Sequence, residues 1–305
     1  MITPMTSSIW QTSRFQIDLS KPRVMGIVNV TPDSFSDGGQ NAGIRAALEH
    51  CERLISEGAD ILDIGGESTR PGAIPVPQEQ ELARVLPVLA EAVKLGVPIS
   101  VDTYKPAVMR AVLDLGADII NDIWALRWQT PGDGAGSEPS AQEVVAAHPR
   151  CGVVLMHMQG EPRSMQIHPM QGDVLPAVAS FLEHAAQSLC HAGVQAERIA
   201  LDPGIGFGKT VQQNFSLLAR QAELLTLGYP LLAGWSRKSS LAAVAVKALS
   251  DLATLDVQAR RVPSVVAATL AVERGARVVR VHDVLQTVQA LQVLQAMNAS
   301  TISAV

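Results

Sequence analysis

Short aliphatic runs alternate along the chain with longer segments whose apolar positions recur every three or four residues. The runs lie near 24–30, 60–64, 98–102, 117–121, 152–157, 198–202, 230–234 and 277–281. Val24-Met-Gly-Ile-Val28 and Gly152-Val-Val-Leu-Met156 lack polar alternation, as parallel strands covered on both faces do. Between the runs, Ile44, Ala47, Leu48, Cys51, Leu54 and Ile55 share one helical face, and Gly58 follows as a stop. Residues 79–95 repeat the pattern up to Gly96, and 105–115 repeat it up to Gly116. A last helix over about 283–298 carries Val284, Leu285, Val288, Leu291 and Leu294, most of which are expected to pack inward. Eight strand–helix units in 305 residues predict an α/β fold, a single (β/α)8 TIM barrel spanning 23–300. Residues 1–22 read as a short N-terminal cap, and no internal repeat or domain boundary stands out.

The polar residues fall where that fold would use them. The runs end at Asn29, Asp63, Asp102, Asn121-Asp122, Met156-His157 and Asp202, and the eighth ends at Arg280-Val-His282. The seventh strand–helix loop holds Ser236-Arg-Lys-Ser239. In a barrel these ends meet at one mouth, where barrel active sites sit. A single Asp or Asn there is as often a helix cap, but so many together predict a site. Asp102, Asn121, Asp202 and Lys238 supply donors and acceptors for a planar polar heterocycle, with Met156 and Phe207 to pack on its faces. Arg70, Arg280 and His282 offer donors for an anion, and the neutral oxygen of Asn29 suits Mg2+ carried with phosphate oxygens and water. Arg280 and His282, two residues apart on a strand, share a face. Asp63, Glu67 and His157 stand open between structural and functional roles. His50, His148, His184 and His191 fall on helices and are expected to face solvent, and His168 has no assigned role. The segments 31–41, 65–77 and 129–140 read as loops, the first two able to close over the mouth.

Composition narrows the class. The chain is 47% hydrophobic with only 4% aromatic residues, so its core must be aliphatic. A net charge of −5 argues against a general nucleic-acid binder. Cys51, Cys151 and Cys190 show no paired spacing and read as reduced thiols. Neither a secretory leader nor a membrane-length apolar run is visible, so a cytoplasmic protein without membrane partners is expected.

Several blocks carry a family likeness. Met25-Gly-Ile-Val-Asn-Val-Thr-Pro-Asp-Ser-Phe-Ser-Asp-Gly-Gly39 and Asp63-Ile-Gly-Gly-Glu-Ser-Thr-Arg-Pro-Gly72 resemble the two signatures of the dihydropteroate synthases. Ser100-Val-Asp-Thr103, Asn121-Asp-Ile123, Leu155-Met-His-Met-Gln-Gly160, Asp202 to Lys209, Ser236 to Ser239 and Arg280 to Val284 follow in the family's order. The likeness covers about 23–290. Gly204-Ile-Gly-Phe-Gly208 alone would be a weak phosphate-loop signal.

The resemblance implies condensation of 7,8-dihydropterin-6-ylmethyl diphosphate with 4-aminobenzoate, giving 7,8-dihydropteroate and pyrophosphate for folate synthesis. It implies that Asp102, Asn121, Met156, Asp202, Phe207 and Lys238 hold the pterin. Asn29, Thr69, Arg70, Arg280 and His282 would hold the pyrophosphate, with Mg2+ on Asn29. Phe35, Asp37, Pro71, Phe207 and Ser239 would shape the aminobenzoate site. Asp102, Asp202, Lys238, Arg280 and His282 would carry the chemistry, an SN1-like loss of pyrophosphate. It also implies a homodimer and sensitivity to sulfonamides. Arg260-Arg-Val-Pro-Ser264 and the 129–140 loop look less typical and receive no role. Two other readings compete: a pterin-dependent methyltransferase barrel, which needs no pyrophosphate clamp, and a catalytically silent pterin-binding paralogue.

Overall fold

The computed structural model describes residues 8–31, 39–70, 72–129, 138–246 and 258–302. The described chain opens with an antiparallel pair, β1 (Ile9–Gln11) and β2 (Gln16–Asp18). Eight parallel strands then close into a barrel in sequence order: β3 (Arg23–Asn29), β4 (Ile61–Gly65), β5 (Ile99–Asp102), β6 (Ile119–Asp122), β7 (Gly152–Met156), β8 (Ile199–Asp202), β9 (Leu231–Ala233) and β10 (Ala276–Val281). Closure is the pairing of β10 with β3, which sets Arg280 beside Met25. Each strand lies within two residues of the aliphatic run that predicted it.

Helices cover the outside. They are α1 (Gly39–Ser56), α2 (Gln78–Ala92), α3 (Pro106–Asp114), α4 (Ala141–Ala147), α5 (Leu175–His191), α6 (Val211–Ala219), α7 (Ser239–Val246), α8 (Arg261–Glu273) and α9 (Val284–Ile302). The expected inner face of α1 is the buried one, with Ala47, Cys51 and Leu54 against the barrel wall. The glycines read as stops hold positive φ at Gly58 (99°), Gly96 (79°) and Gly116 (104°). None of the described helices is long and apolar enough to cross a membrane.

Alternation along the strands sorts the interior into layers. In β5, Ile99 and Val101 join the outer core, while Ser100 and Asp102 take the opposite face. The lower layer is apolar: Met25, Ile61, Ile119, Val154, Ala200, Leu232 and Val278. Trp10 of β1 packs into the same cluster with Ile17 and Leu19, and its Nε1 donates to Arg198 O at 3.0 Å. Arg14 anchors the hairpin, its backbone N and Nε donating to Asp118 Oδ1 at 3.0 Å each and its Nη2 reaching Asp118 Oδ2. The hairpin thus plugs the N-terminal end of the barrel. Trp10→Ala is expected to remove about 3–5 kcal/mol of stability, the usual cost of deleting a buried indole. Urea denaturation checks this, and kcat/KM of the folded variant should stay near wild type because the plug lies at the opposite end from the mouth. A folded variant that had lost activity would contradict that separation.

The histidine expectations divide. His184 and His191 are exposed. His50 is half-buried, with Nε2 at 3.2 Å from Ile27 O. His148 ends α4 rather than lying within it and accepts at Nδ1 from Cys151 N at 2.9 Å. Both replace solvent by a backbone partner, His50 across the helix–barrel contact and His148 within the turn that leads to β7, which helical periodicity alone does not reveal.

Candidate active site at the C-terminal mouth of the barrel

The strand ends converge as the alternation requires. A cavity of about 370 Å³ opens there, lined by Asn29, Thr69, Arg70, Asp102, Asn121, Met156, Asp202, Phe207, Lys238, Ser239, Arg280 and His282. Phe35, Asp37 and Pro71 lie outside the described residues. Also lining the cavity, and not singled out from sequence, are Met165, Arg237 and Arg260. Arg260 comes from the stretch left without a role.

Arg280 is held by two acids. Its Nε donates to Asp63 Oδ2 at 2.6 Å and its Nη2 to Asp102 Oδ2 at 2.8 Å. Asp63 is fully buried, and the same oxygen accepts from Asn121 Nδ2 at 3.2 Å. Asp63 therefore does what its ambiguous sequence position left open: it orients Arg280 and Asn121 from below the cavity. Burial opposes the charge of Arg280, but Asp63 and Asp102 outweigh it and raise its pKa. The planar fork suits this bridge, which a lysine would not reproduce.

Burial raises the pKa of two acids of the mouth. Burial pushes Asp102 up to about 7, although Arg280 pulls the other way. Asp202 is raised by burial too, against a 2.7 Å hydrogen bond from Gly204 N to its Oδ1. Lys238 faces the complementary penalty, and burial brings it down to about 8. Its Nζ sits 4.1 Å from the centroid of the Phe207 ring, so cation and aromatic face share one wall of the cavity.

His282 is kept neutral, held down to about 2 by burial and then by Arg237 and Arg280. Ser236 Oγ accepts from His282 N at 3.1 Å and lies 2.9 Å from its Nδ1. With the Ser236 hydroxyl donating to Nδ1, Nε2 carries the ring proton and is an N–H donor. His282 thus offers an anion a neutral hydrogen bond, not a charge.

The loop after β8 is built from backbone approach. Gly204, Gly206 and Gly208 all have positive φ (68°, 82° and 68°). A Cβ on Gly204 would sit 1.8 Å from His157 O, which leaves no room for one. Lys209 runs under this loop and is 2% exposed. Its Nζ donates to Gly204 O at 2.8 Å and Phe207 O at 3.2 Å and meets His157 Nδ1 at 2.9 Å. Burial brings Lys209 down to about 7, and burial with Lys209 brings His157 down to about 3. His157 is the neutral acceptor of this knot. Asn214 completes it, accepting from Gly206 N at 2.9 Å and donating to Ser240 Oγ at 2.9 Å, which ties the loop to the start of α7. Phe207 is positioned by these contacts, and Ser239 stands at the N-terminus of α7, where backbone N–H groups favour a carboxylate.

Lys209 ends one of the family-like blocks, and its place there gives it no role. A lysine in a Gly-rich turn reads as a surface or phosphate contact, and only the closed loop shows it buried. Lys105 and Tyr104 left no local signal at all. Lys105 Nζ donates to both Glu67 and Glu81, and Tyr104 Oη donates to Glu67 Oε1 at 2.8 Å.

Among the described residues no group of three or more His, Cys, Asp or Glu side chains could hold a metal by itself. The neutral amide of Asn29 lines the cavity, and such an oxygen would suit a divalent cation whose other ligands are oxygens brought by a ligand and water.

Comparison with known proteins is consistent with this geometry. The family described as "pterin binding enzyme" matches residues 25–282. A dihydropteroate synthase of Neisseria meningitidis serogroup C is 50% identical over 285 residues, covering 92% of this chain and 94% of the relative. The solved dihydropteroate synthase of Xanthomonas albilineans with 4-aminobenzoic acid superposes with a TM-score of 0.82 at 47% identity, covering 93% of this chain and 96% of that one. The solved dihydropteroate synthase of Burkholderia cenocepacia complexed with 7,8-dihydropteroate gives a TM-score of 0.82 at 47% identity, covering 97% and 98%.

Proposed function

Since the chain belongs to the dihydropteroate synthases among the pterin-binding enzymes, we propose that its barrel mouth joins 7,8-dihydropterin-6-ylmethyl diphosphate to 4-aminobenzoate, giving 7,8-dihydropteroate and pyrophosphate. The observation that carries the reading is that two sets of residues line one cavity. The first is Asp102, Asn121 and Asp202 with the Phe207–Lys238 pair, and the second is Arg70, Arg237, Arg260 and Arg280 with His282. A flat amino-pyrimidinone ring fits the first set. Its N–H edge meets carboxylate and amide oxygens and its face meets Phe207 and Met156. A diphosphate fits the second.

The chemistry follows from those charges. The C–O bond between methylene and diphosphate breaks, and the electron pair leaves with the diphosphate, SN1-like. The electron-rich dihydropterin then holds the positive charge, close to Asp102 and Asp202. Arg280, gripped in advance by Asp63 and Asp102, and the Nε2–H of His282 meet the departing negative charge without reorganising first. The neutral arylamine attacks the methylene carbon, forms the C–N bond and sheds its extra proton to solvent. Ser239 and the first N–H groups of α7 anchor the aminobenzoate carboxylate. Asn29 would hold a Mg2+ ion, which when bound would supply positive charge against the leaving diphosphate.

The homodimer is proposed on an apolar surface. α8 and α9 pack on each other, and each leaves an apolar row exposed, Val262 and Val266 on α8, Val293 and Met297 on α9. Rows of this kind mark contact surfaces. Cys51 and Cys151 are buried free thiols and Cys190 is a half-buried one, which suits a reducing compartment, and we place the reaction in the cytoplasm.

The test is a reaction of the purified protein with Mg2+, the dihydropterin diphosphate and 4-aminobenzoate. Pyrophosphate release should equal dihydropteroate formed, should require 4-aminobenzoate and Mg2+, and should be blocked competitively by a sulfonamide. Pterin binding without product would sink the catalytic reading and favour a silent pterin binder.

A further inference from the structure

We propose that Lys105 is a positioning residue for the reaction, the centre of a buried clasp that sets the loop bearing Ser68, Thr69 and Arg70 against the diphosphate. The proposal rests on the reading of that part of the mouth as the anion site. The loop joins β4 to α2 and carries these three residues into the cavity wall. Glu67, at its start, does not point out as a loop glutamate ordinarily would. One oxygen accepts from Tyr104 Oη at 2.8 Å, and the other accepts from Lys105 Nζ and from Val76 N at 3.1 Å. A single side chain therefore grips both ends of the loop. Between those ends Gly72 N donates to Pro162 O at 3.1 Å, and such ties lower the entropy of the open loop.

Lys105 makes the grip directional. Its ammonium is 5% exposed and lies between Glu67, 9% exposed, and Glu81 of α2, 1% exposed. It links the loop to the helix that follows and, through its own place after β5, to the strand that ends in Asp102. Arg84 of α2 adds a second tie, Nη1 to Gly66 O at 2.8 Å. Gly66 presses so closely on α2 that a Cβ there would meet Val85 at 2.7 Å. A purely stabilising ion pair would need one carboxylate. Two acids shared by one lysine, with a tyrosine hydroxyl and a loop amide on the same acid, form a joint between loop and barrel.

The test compares Glu67→Gln, Tyr104→Phe and Lys105→Met with wild type, the first two covering the case in which the lysine variant does not fold. Hydrogen exchange of the peptide spanning 66–76 should quicken in each variant while the barrel strands keep their protection. By titration calorimetry, affinity for inorganic pyrophosphate should fall about tenfold in Glu67→Gln, the scale of one charge-assisted hydrogen bond. Affinity for 6-hydroxymethyl-7,8-dihydropterin, which lacks the diphosphate, should not change. Arg70→Ala serves as the reference for the anion site. Unaltered exchange of 66–76 would overturn the clasp, and so would equal losses for the pterin and for pyrophosphate, which a general loosening would produce. Faster exchange with pyrophosphate affinity intact would overturn the positioning role. Pyrophosphate affinity lost in Glu67→Gln but kept in Arg70→Ala would support the clasp and correct the anion-site reading instead, moving the contact from Arg70 to Ser68 or Thr69.

Discussion

Arg280→Met is expected to cost both folding and catalysis. In the protein its guanidinium joins Asp63 at 2.6 Å and Asp102 at 2.8 Å, with Asp63 fully buried. Removing one partner from such a group leaves buried charge uncompensated, a loss of about 3–5 kcal/mol. The loss should also depend on pH. Burial already pushes Asp102 up to about 7, and Arg280 is the strongest influence holding it down. Without Arg280 the folded-state value rises further. A carboxyl with a raised folded pKa binds its proton more tightly when folded, so its contribution falls as pH climbs above the unfolded value, until the folded value is passed. Urea midpoints for variant and wild type should therefore differ more at pH 8 than at pH 5.5. Equal differences at the two pH values would show that Asp102 is not the acid exposed by the change. For the part of the protein that stays folded, kcat/KM should drop about 100- to 1000-fold, the loss typical of one preorganised donor at a developing anion. Arg280→Lys should recover little of it, because an ammonium cannot span both acids.

Gly204→Ala is the second large effect, and it involves no polar side chain of the cavity. The new Cβ would lie 1.8 Å from the backbone oxygen of His157, at a φ of 68°. Neither side can yield cheaply. His157 N donates to Asp202 O at 3.0 Å, and Lys209 Nζ bridges Gly204 O and His157. Strain at a positive φ and overpacking cost about 1–3 kcal/mol each, so a total of about 2–6 kcal/mol is expected. The loop is expected to move before the barrel unfolds. That would carry Phe207 away from Lys238 and break the Gly204 N to Asp202 Oδ1 hydrogen bond of 2.7 Å. Thermal denaturation and pterin affinity, measured together, check this. A variant with wild-type pterin affinity would mean that the loop does not place Phe207.

How much of this was legible without coordinates differs from residue to residue. Asp102, Asn121, Asp202 and Arg280 announced themselves because each ends an aliphatic run, and in a closed parallel barrel every run delivers its last residues to the same mouth. Lys238 and Ser239 were found through the block that surrounds them. Glu67 was visible only as an ambiguous acid in a loop, and Lys105 not at all, since a lysine beside Pro106 at the start of a helix looks like a solvated one. Arg260 was set aside, yet it lines the cavity.

The sequence by itself determined the eight strand–helix units, the end at which their polar residues gather and, through the family likeness, the kind of chemistry expected there. The units rest on short aliphatic runs and period-3.6 patterns, which are local and survive whatever the chain does next. Only the tertiary structure decided which charged groups meet. Asp63 and Arg280 are 217 residues apart and share a hydrogen bond because β10 closes on β3, next to β4. Lys209 and His157 meet because the loop after β8 folds back over the end of β7, and Lys105 reaches Glu67 because adjacent units bring their loops side by side. Pairings of this kind depend on barrel closure and register, and burial decides how strongly they shift a proton. Neither is written in the spacing of residues along one segment.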